Sequence, residues 1–207
     1  MDVTSTKLIA GVDAQTRCWW CGDDPLYVHY HDTEWGLPVD DDIRLFEKIC
    51  LEGFQAGLAW ITVLRKREDF RKAFADFDFH KVARFTSARV ERLVENAKII
   101  RHRGKIESTI NNAKQAIKLI NEFGSLGKFF WQFAPESQAE FDGCRSITPE
   151  STALSKELKR RGWSFVGPTT CYAFMQAMGM VNDHLPDCFA FATVAAKQAR
   201  FARQRPS

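Results

Sequence analysis

The chain contains no apolar run approaching the roughly 18 to 20 residues that cross a bilayer, and its first residues lack the apolar stretch of a secretory signal. No membrane partner is implied, and a soluble protein of a reducing cytosol (cytoplasmic) is expected. Its six cysteines, Cys18, Cys21, Cys50, Cys144, Cys171 and Cys188, are widely spread and expected to be thiols. Sustained two-residue alternation is missing, which removes the usual signature of half-buried strands. Internal repeats and low-complexity segments are missing too. Charge of one sign is not in strong excess, since a net charge of +3 does not by itself demand a polyanionic partner. At 207 residues the chain can bury a core without disulfides, so a bound metal would act as a local staple.

What is present is helical periodicity. Leu45, Phe46, Ile49 and Cys50 recur at three- and four-residue steps, as do Ile106, Ile110, Ala113, Ile117 and Ile120, so each set forms one apolar stripe. Further helices are expected over 57–66, 67–76, 88–98, 151–161 and 168–179, with Gly124 and Gly162 as stops and Ser151 or Thr152 as a cap. An all-α fold follows. Residues 1–16 are polar and read as a flexible extension, 17–190 as the helical domain, and 191–207 as a basic tail whose end, from 195, frays. The stretch 134–149 reads as a loop and a boundary between two lobes. Basic residues cluster in RHRGK (Arg101, Arg103, Lys105), in SKELKRR (Lys156, Lys159, Arg160, Arg161) and in the tail (Lys197, Arg200, Arg203, Arg205). Each cluster alone reads as a solvated face. Three together make a phosphate-bearing partner plausible.

Two pairs of candidate metal ligands stand far apart in the chain. Cys18 and His31 are separated by twelve residues, His184 and Cys188 by three. Together they form a Cys₂His₂ set suited to one structural Zn²⁺, which takes four such ligands tetrahedrally and would tie the amino-terminal segment to the carboxy-terminal one. Cys21 is a fifth candidate, because Cys18-x₂-Cys21 is itself a ligand spacing.

Glu52 is the least expected residue for stability. It follows Lys48-Ile49-Cys50-Leu51 near a helix end that Gly53 is expected to terminate, so its charge faces the negative end of the helix dipole. Either it points to water, or a function holds it there. Trp19, Trp20, Tyr27, Tyr30 and Trp35 crowd the first ligand pair, and Trp60 lies two helical turns beyond Glu52, whereas Trp131 and Trp163 read as core. A carboxylate beside aromatic faces suits a flat cationic ligand, such as a positively charged base. A turn at Val166-Gly167-Pro168 between two helices resembles the hairpin of helix-hairpin-helix proteins, in which amides opening the second helix meet a DNA phosphate.

The motifs DPLYVHYHDTEWG (24–36), ICLEGFQAGLAWITVL (49–64), IIRHRGKI (99–106), LSKELKRRGWSFVGPTTCYAFMQAMG (154–179) and VNDH (181–184) together resemble the 3-methyladenine DNA glycosylase I family. The resemblance runs from about Arg17 to about Cys188. It implies a helix-hairpin-helix glycosylase of two helical lobes that flips 3-methyladenine out of double-stranded alkylated DNA and excises it by hydrolysis, acting as a monomer and releasing free 3-methyladenine. A zinc-stabilised damage-binding module without turnover is the alternative from another class. By resemblance the zinc set is Cys18, His31, His184 and Cys188, without Cys21. Glu52 is then the carboxylate that hydrogen-bonds the base and serves catalysis, Tyr30 and Trp60 stack around it, and Trp20 and Tyr27 complete the wall. Val166, Gly167, Thr169 and Thr170, with Lys159 and Arg160, are implied as the DNA contacts. Asp183 stands too close after the hairpin for the catalytic aspartate of many relatives in the superfamily, and the resembled family works without one.

Overall fold

The structure, a computed structural model, describes residues 7–137, 141 and 143–204. Among them are eleven α-helices and one pair of three-residue strands. None of these helices is long and apolar enough to cross a membrane. The chain divides into two compact units, Met1–Pro38 with Ala134–Ser146 and Met175–Ser207, and Val39–Phe133 with Ile147–Phe174.

The second unit is built around α2 (Asp42–Gln55) and α7 (Arg103–Phe123), which pack on each other. The Asp41 side chain caps α2 by accepting from the Arg44 amide. Asp42 also accepts from the Leu126 and Gly127 amides at the start of α8 (Leu126–Phe130), which docks that short helix on α2. The expected stripe on α2 is buried, from Leu45 and Phe46 to Phe54. So is the stripe on α7 at Ile106, Ile110 and Ala113. Phe54 meets Phe70 at 4.5 Å between centroids, and Phe74 meets Phe77 at 5.6 Å. Each fully buried ring of this kind contributes roughly 1.5–3 kcal/mol. Trp131 and Trp163 are also buried in this unit, with the Trp131 indole N–H donating to the Val39 carbonyl.

Helix boundaries differ from the periodic reading where turn chemistry intervenes. Between α2 and α3 (Trp60–Leu64) the chain turns through Gly57 at φ +83°, so the helix expected from 57 begins only at Trp60. Gly53 does not end α2, which continues to Gln55. A Cβ at Gly53 would lie 3.3 Å from both Cβ and the carbonyl oxygen of Phe165, so glycine there serves close packing. The helices expected over 67–76 and 88–98 are α4 (Arg67–Ala73) and α6 (Ser87–Glu95), with the short α5 (Phe79–Val82) between them. Helix α9 (Pro149–Arg160) starts two residues before its expected position, because Thr148 is the cap and forms a reciprocal capping box with Ser151. Gly124 at φ +86° and Gly162 at φ +84° are the stops expected. Helix α10 (Pro168–Ala177) follows the hairpin and runs across the division of the chain.

In the first unit, part of the stretch expected to be a flexible extension forms a hairpin. Leu8–Ala10 (β1) pairs antiparallel with Thr16–Cys18 (β2), Leu8 opposite Cys18. The strands are too short for a two-residue alternation to stand out. Helix α1 (Pro25–Thr33) begins with Asp24 as cap and Pro25 in the first turn. Part of the basic tail forms α11 (Ala190–Gln204), which buries Ala190 and Val194 one turn apart. Gly179 lies at φ +72°, and a Cβ there would stand 2.5 Å from the Leu37 carbonyl carbon and the Pro38 nitrogen. Both obstacles are backbone. Gly179→Ala is therefore expected to lower stability by about 2–4 kcal/mol, read as a fall in melting temperature.

Candidate functional site

Cys18, His31, His184 and Cys188 meet in the first unit, all buried, with their ligand atoms within 4.8 Å of one another. Cys18 Sγ lies 3.8 Å from His184 Nδ1, and Cys188 Sγ lies 3.5 Å from both His31 Nε2 and His184 Nδ1. A tetrahedral zinc with ordinary Zn–S and Zn–N bonds requires a sulfur-to-nitrogen edge of about 3.5 Å, so the donor set fits such an ion. Cys21 is buried but turns its thiol to the Cys18 carbonyl oxygen at 3.2 Å, outside the cluster. Burial pushes that thiol up to about 11. Geometry thus separates four ligands from the five that spacing allowed.

The surroundings of the cluster fix its histidines. His31 Nδ1 lies 2.8 Å from the Asp32 carboxylate and His184 Nε2 lies 3.2 Å from the Trp35 carbonyl. Each acceptor holds a proton on the far ring nitrogen, which leaves the lone pair of the near one facing the sulfurs. Arg17 in turn clamps Asp32 through Nε and a terminal nitrogen. Hydrogen bonding from Cys18 holds the Cys188 thiol well below the ordinary range, helped by His184 and His31, while the same bond and burial push Cys18 up. A metal bound there would take both sulfurs as thiolates.

The aromatic residues expected around the base fall into two groups. Trp20, Tyr27 and Tyr30 belong to the first unit and form one cluster, with Trp20 5.1 Å from Tyr27, 6.5 Å from Tyr30 and 5.2 Å from His31. Tyr27 and Tyr30 are three residues apart on α1 and so share a face, and His31 of the metal set is the next residue. Tyr30 is buried, whereas Trp20 and Tyr27 are half-buried.

Glu52 and Trp60 belong to the second unit. Glu52 is 4% exposed, which excludes the reading of a carboxylate pointing to water. Its Oε1 lies 2.6 Å from Lys48 Nζ, one helical turn earlier on α2. The same ammonium stands 3.2 Å from the Trp60 ring centroid. Burial raises the Glu52 carboxyl above the usual range, against the pull of the Lys48 charge and hydrogen bond. Neither motif nor composition singles out Lys48. Its four-residue spacing from Glu52 on a helix was the available signal.

Lys105, counted above in a basic cluster, is buried and donates to the Phe54 and Ala56 carbonyls at 2.9 and 2.6 Å. It caps the negative end of α2 and places its charge where the dipole favours a cation. In the second cluster, Arg160 and Arg161 pair with Glu157, and Arg161 also with Glu122. Lys159, Arg160 and Thr169 are exposed, Gly167 and Thr170 half-buried, and the Val166 side chain is buried, so Val166 offers only backbone. The hairpin is held from within. The Ser164 carbonyl accepts from Ser108 and Asn112, and the Val166 carbonyl accepts from Ser155 at 2.6 Å. Asp183 is buried and accepts from the Gln176 side chain at 2.8 Å.

A helical chain with a glycine hairpin opening a helix, and a buried acid paired with a cation that lies over a tryptophan ring, has the equipment of a DNA glycosylase of the helical class. The family described as methyladenine glycosylase matches residues 20–191. The chain belongs to that family. It is 51% identical over 180 residues to DNA-3-methyladenine glycosylase 1 of Escherichia coli, covering 84% of this chain and 96% of the relative. It is 49% identical over 178 residues to the DNA-3-methyladenine glycosylase of Haemophilus influenzae, with the same coverage of 84% and 96%. A crystal structure of a 3-methyladenine DNA glycosylase I variant in complex with 3-methyladenine is similar with a TM-score of 0.77 at 37% identity, covering 81% of this chain and 93% of that one.

Proposed function

We propose that the protein removes 3-methyladenine from alkylated double-stranded DNA by hydrolysis of the glycosidic bond, acting as a monomer and leaving an abasic site and the free base. The observation that carries this reading is the buried Glu52 at the end of α2, held with a cation under the Trp60 ring. Relatives about half identical over most of the chain carry the same activity in their names, which supports it.

In this reading the damaged base leaves the stack at a cost of a few kcal/mol, less than for a sound base pair. Glu52 then accepts a hydrogen bond from it and Trp60 offers a stacking face, and the motif resemblance adds Tyr30, Trp20 and Tyr27 as base-contacting residues. Methylation at N3 gives the purine a positive charge, so the bond to the sugar is already weak and the base departs neutral. No strong general base is required. Glu52 acts by recognition and by the field it exerts on the developing oxocarbenium charge, which water then captures. Engagement of Asp183 with Gln176 accords with a mechanism that needs no second carboxylate.

Zn²⁺ is proposed as a single structural ion on Cys18, His31, His184 and Cys188, a role supported by full burial and four protein ligands. DNA is proposed to meet the amides of Val166, Gly167, Thr169 and Thr170 at the start of α10, together with Lys159 and Arg160. The first turn of a helix carries amides without intrahelical partners and a positive dipole end, which suits a phosphate. Lys159→Ala should weaken DNA binding uniformly across sequences and reduce the salt slope of affinity by about one. Arg160→Ala should do less, because Arg160 is already paired with Glu157.

Release of free 3-methyladenine from alkylated duplex DNA tests the main reading. Binding of damaged DNA without release would leave the non-catalytic module as the better description.

A further inference from the structure

Lys48 is a buried cation that fold stability does not explain. It lies on the inner face of α2 near Leu45 and Ile49, and its side chain is 7% exposed. A lysine there gives up hydration and is compensated by Glu52, yet buried ion pairs of this kind are often no more stabilising than apolar residues of the same volume. An apolar pair would serve a core at least as well.

The position of the ammonium is informative. A flat electron-poor base would use two features of this site, the Glu52 carboxylate as acceptor and the Trp60 face as stacking surface. Both are held by the same nitrogen, 2.6 Å from Glu52 Oε1 and 3.2 Å from the ring centroid. Whichever atom carries the shared proton, the Lys48–Glu52 pair has no net charge. A ligand that takes the carboxylate must therefore part it from the ammonium.

We propose that Lys48 is a specificity-determining residue of this site: its ammonium holds the place of the ligand on Glu52 and Trp60, and a base enters by displacing it. This rests on the reading of Glu52 as the group that binds the base. A base carrying positive charge and an N–H donor regains both interactions that the ammonium gives up. A neutral purine can stack and offer an N–H to the carboxylate, but it brings no charge to replace that of the ammonium. The ion pair thereby sets a threshold that uncharged bases clear only at higher concentration. It also favours release. Once the glycosidic bond has broken and the base is neutral, the ammonium competes for the carboxylate again and expels the product.

The test uses the whole protein with free 3-methyladenine and adenine as probes. In the wild type, the ¹⁵N-edited resonance of the Lys48 ammonium should lie at the high field expected over an indole ring and shift on saturation with 3-methyladenine. Lys48→Met should bind the neutral probes, free 3-methyladenine and adenine alike, more tightly, by about tenfold, because the competing ammonium is gone. Its kcat under multiple turnover should fall as product leaves more slowly. A structural role predicts weaker binding alongside lower kcat. An ammonium resonance unmoved by saturating 3-methyladenine overturns the proposal, and so does Lys48→Met binding equal to or weaker than wild type. Should Lys48→Met fail to fold, the wild-type resonance decides alone. Glu52→Gln separates the two levels. If that variant binds 3-methyladenine as the wild type does, the reading of Glu52 fails and this proposal with it. If Glu52→Gln loses the base while the ammonium stays in place, only the role of Lys48 fails.

Discussion

Glu52→Gln is expected to lower excision of 3-methyladenine by about 10²–10³-fold, the scale on which a preorganised charged group at a reacting centre acts. The substitution keeps shape and a hydrogen-bonding oxygen but removes the negative charge. Excision should fall through kcat as well as KM, because an interaction made more strongly with developing positive charge is lost. Stability should fall too. Removing one member of a buried ion pair leaves the other uncompensated, at a cost of about 3–5 kcal/mol, and here the stranded group is the buried Lys48 ammonium. The double variant Glu52→Gln, Lys48→Met removes that strain and should regain most of the lost melting temperature while remaining inactive. A single variant cannot separate lost folding from lost chemistry, whereas this pair can. Excision by Glu52→Gln within tenfold of wild type, with the fold intact by near-ultraviolet circular dichroism, would remove Glu52 from the chemistry.

The sequence revealed the helical class because the apolar stripes of α2 and α7 repeat without interruption over several turns. Turns were harder to read. Gly53 looked like a stop, yet the Phe165 backbone and Cβ press against it from another part of the chain, and such a contact leaves no local trace. Thr148 caps α9 in place of Ser151 or Thr152, the caps the sequence suggests, because it forms a reciprocal box with Ser151. The four cluster ligands were visible as residue types at suitable spacings, but only distances removed Cys21. Glu52 stood out because local physics disfavours an acid near a helix end. Its partner did not stand out, because a lysine one turn from a glutamate reads as an ordinary surface pair until burial is known. Lys105 is hidden in the same way. Counted with exposed basic residues, it spends its charge on the carbonyls that end α2.

Removal of metal should have the second large effect, and it should be of a different kind. The Cys₂His₂ set draws on the end of β2, on α1, and on the stretch before α11, so an ion there closes a long chain loop within one unit. Without the ion, two sulfurs and two imidazoles remain buried, and the clamp of Arg17 on Asp32 orients a histidine that has lost its purpose. The cost is smaller than the roughly 10–16 kcal/mol for zinc-finger peptides, because an apolar core remains around Cys18, Leu185 and Cys188. A loss of about 3–5 kcal/mol is expected, or some 6–20 °C in melting temperature for a chain of this size. Purified protein should contain one zinc, and Cys188→Ser should contain far less while melting at a similarly lowered temperature. Excision per folded molecule should fall much less in Cys188→Ser than in Glu52→Gln, since a closed four-ligand ion has no open position for water or substrate. Because the thiols must be deprotonated to hold the ion, acidification should release it and lower the melting temperature of the wild type more than that of Cys188→Ser. A protein that melts at one temperature with and without a strong chelator, and carries no stoichiometric metal, would leave the four residues as a hydrogen-bonded cluster only.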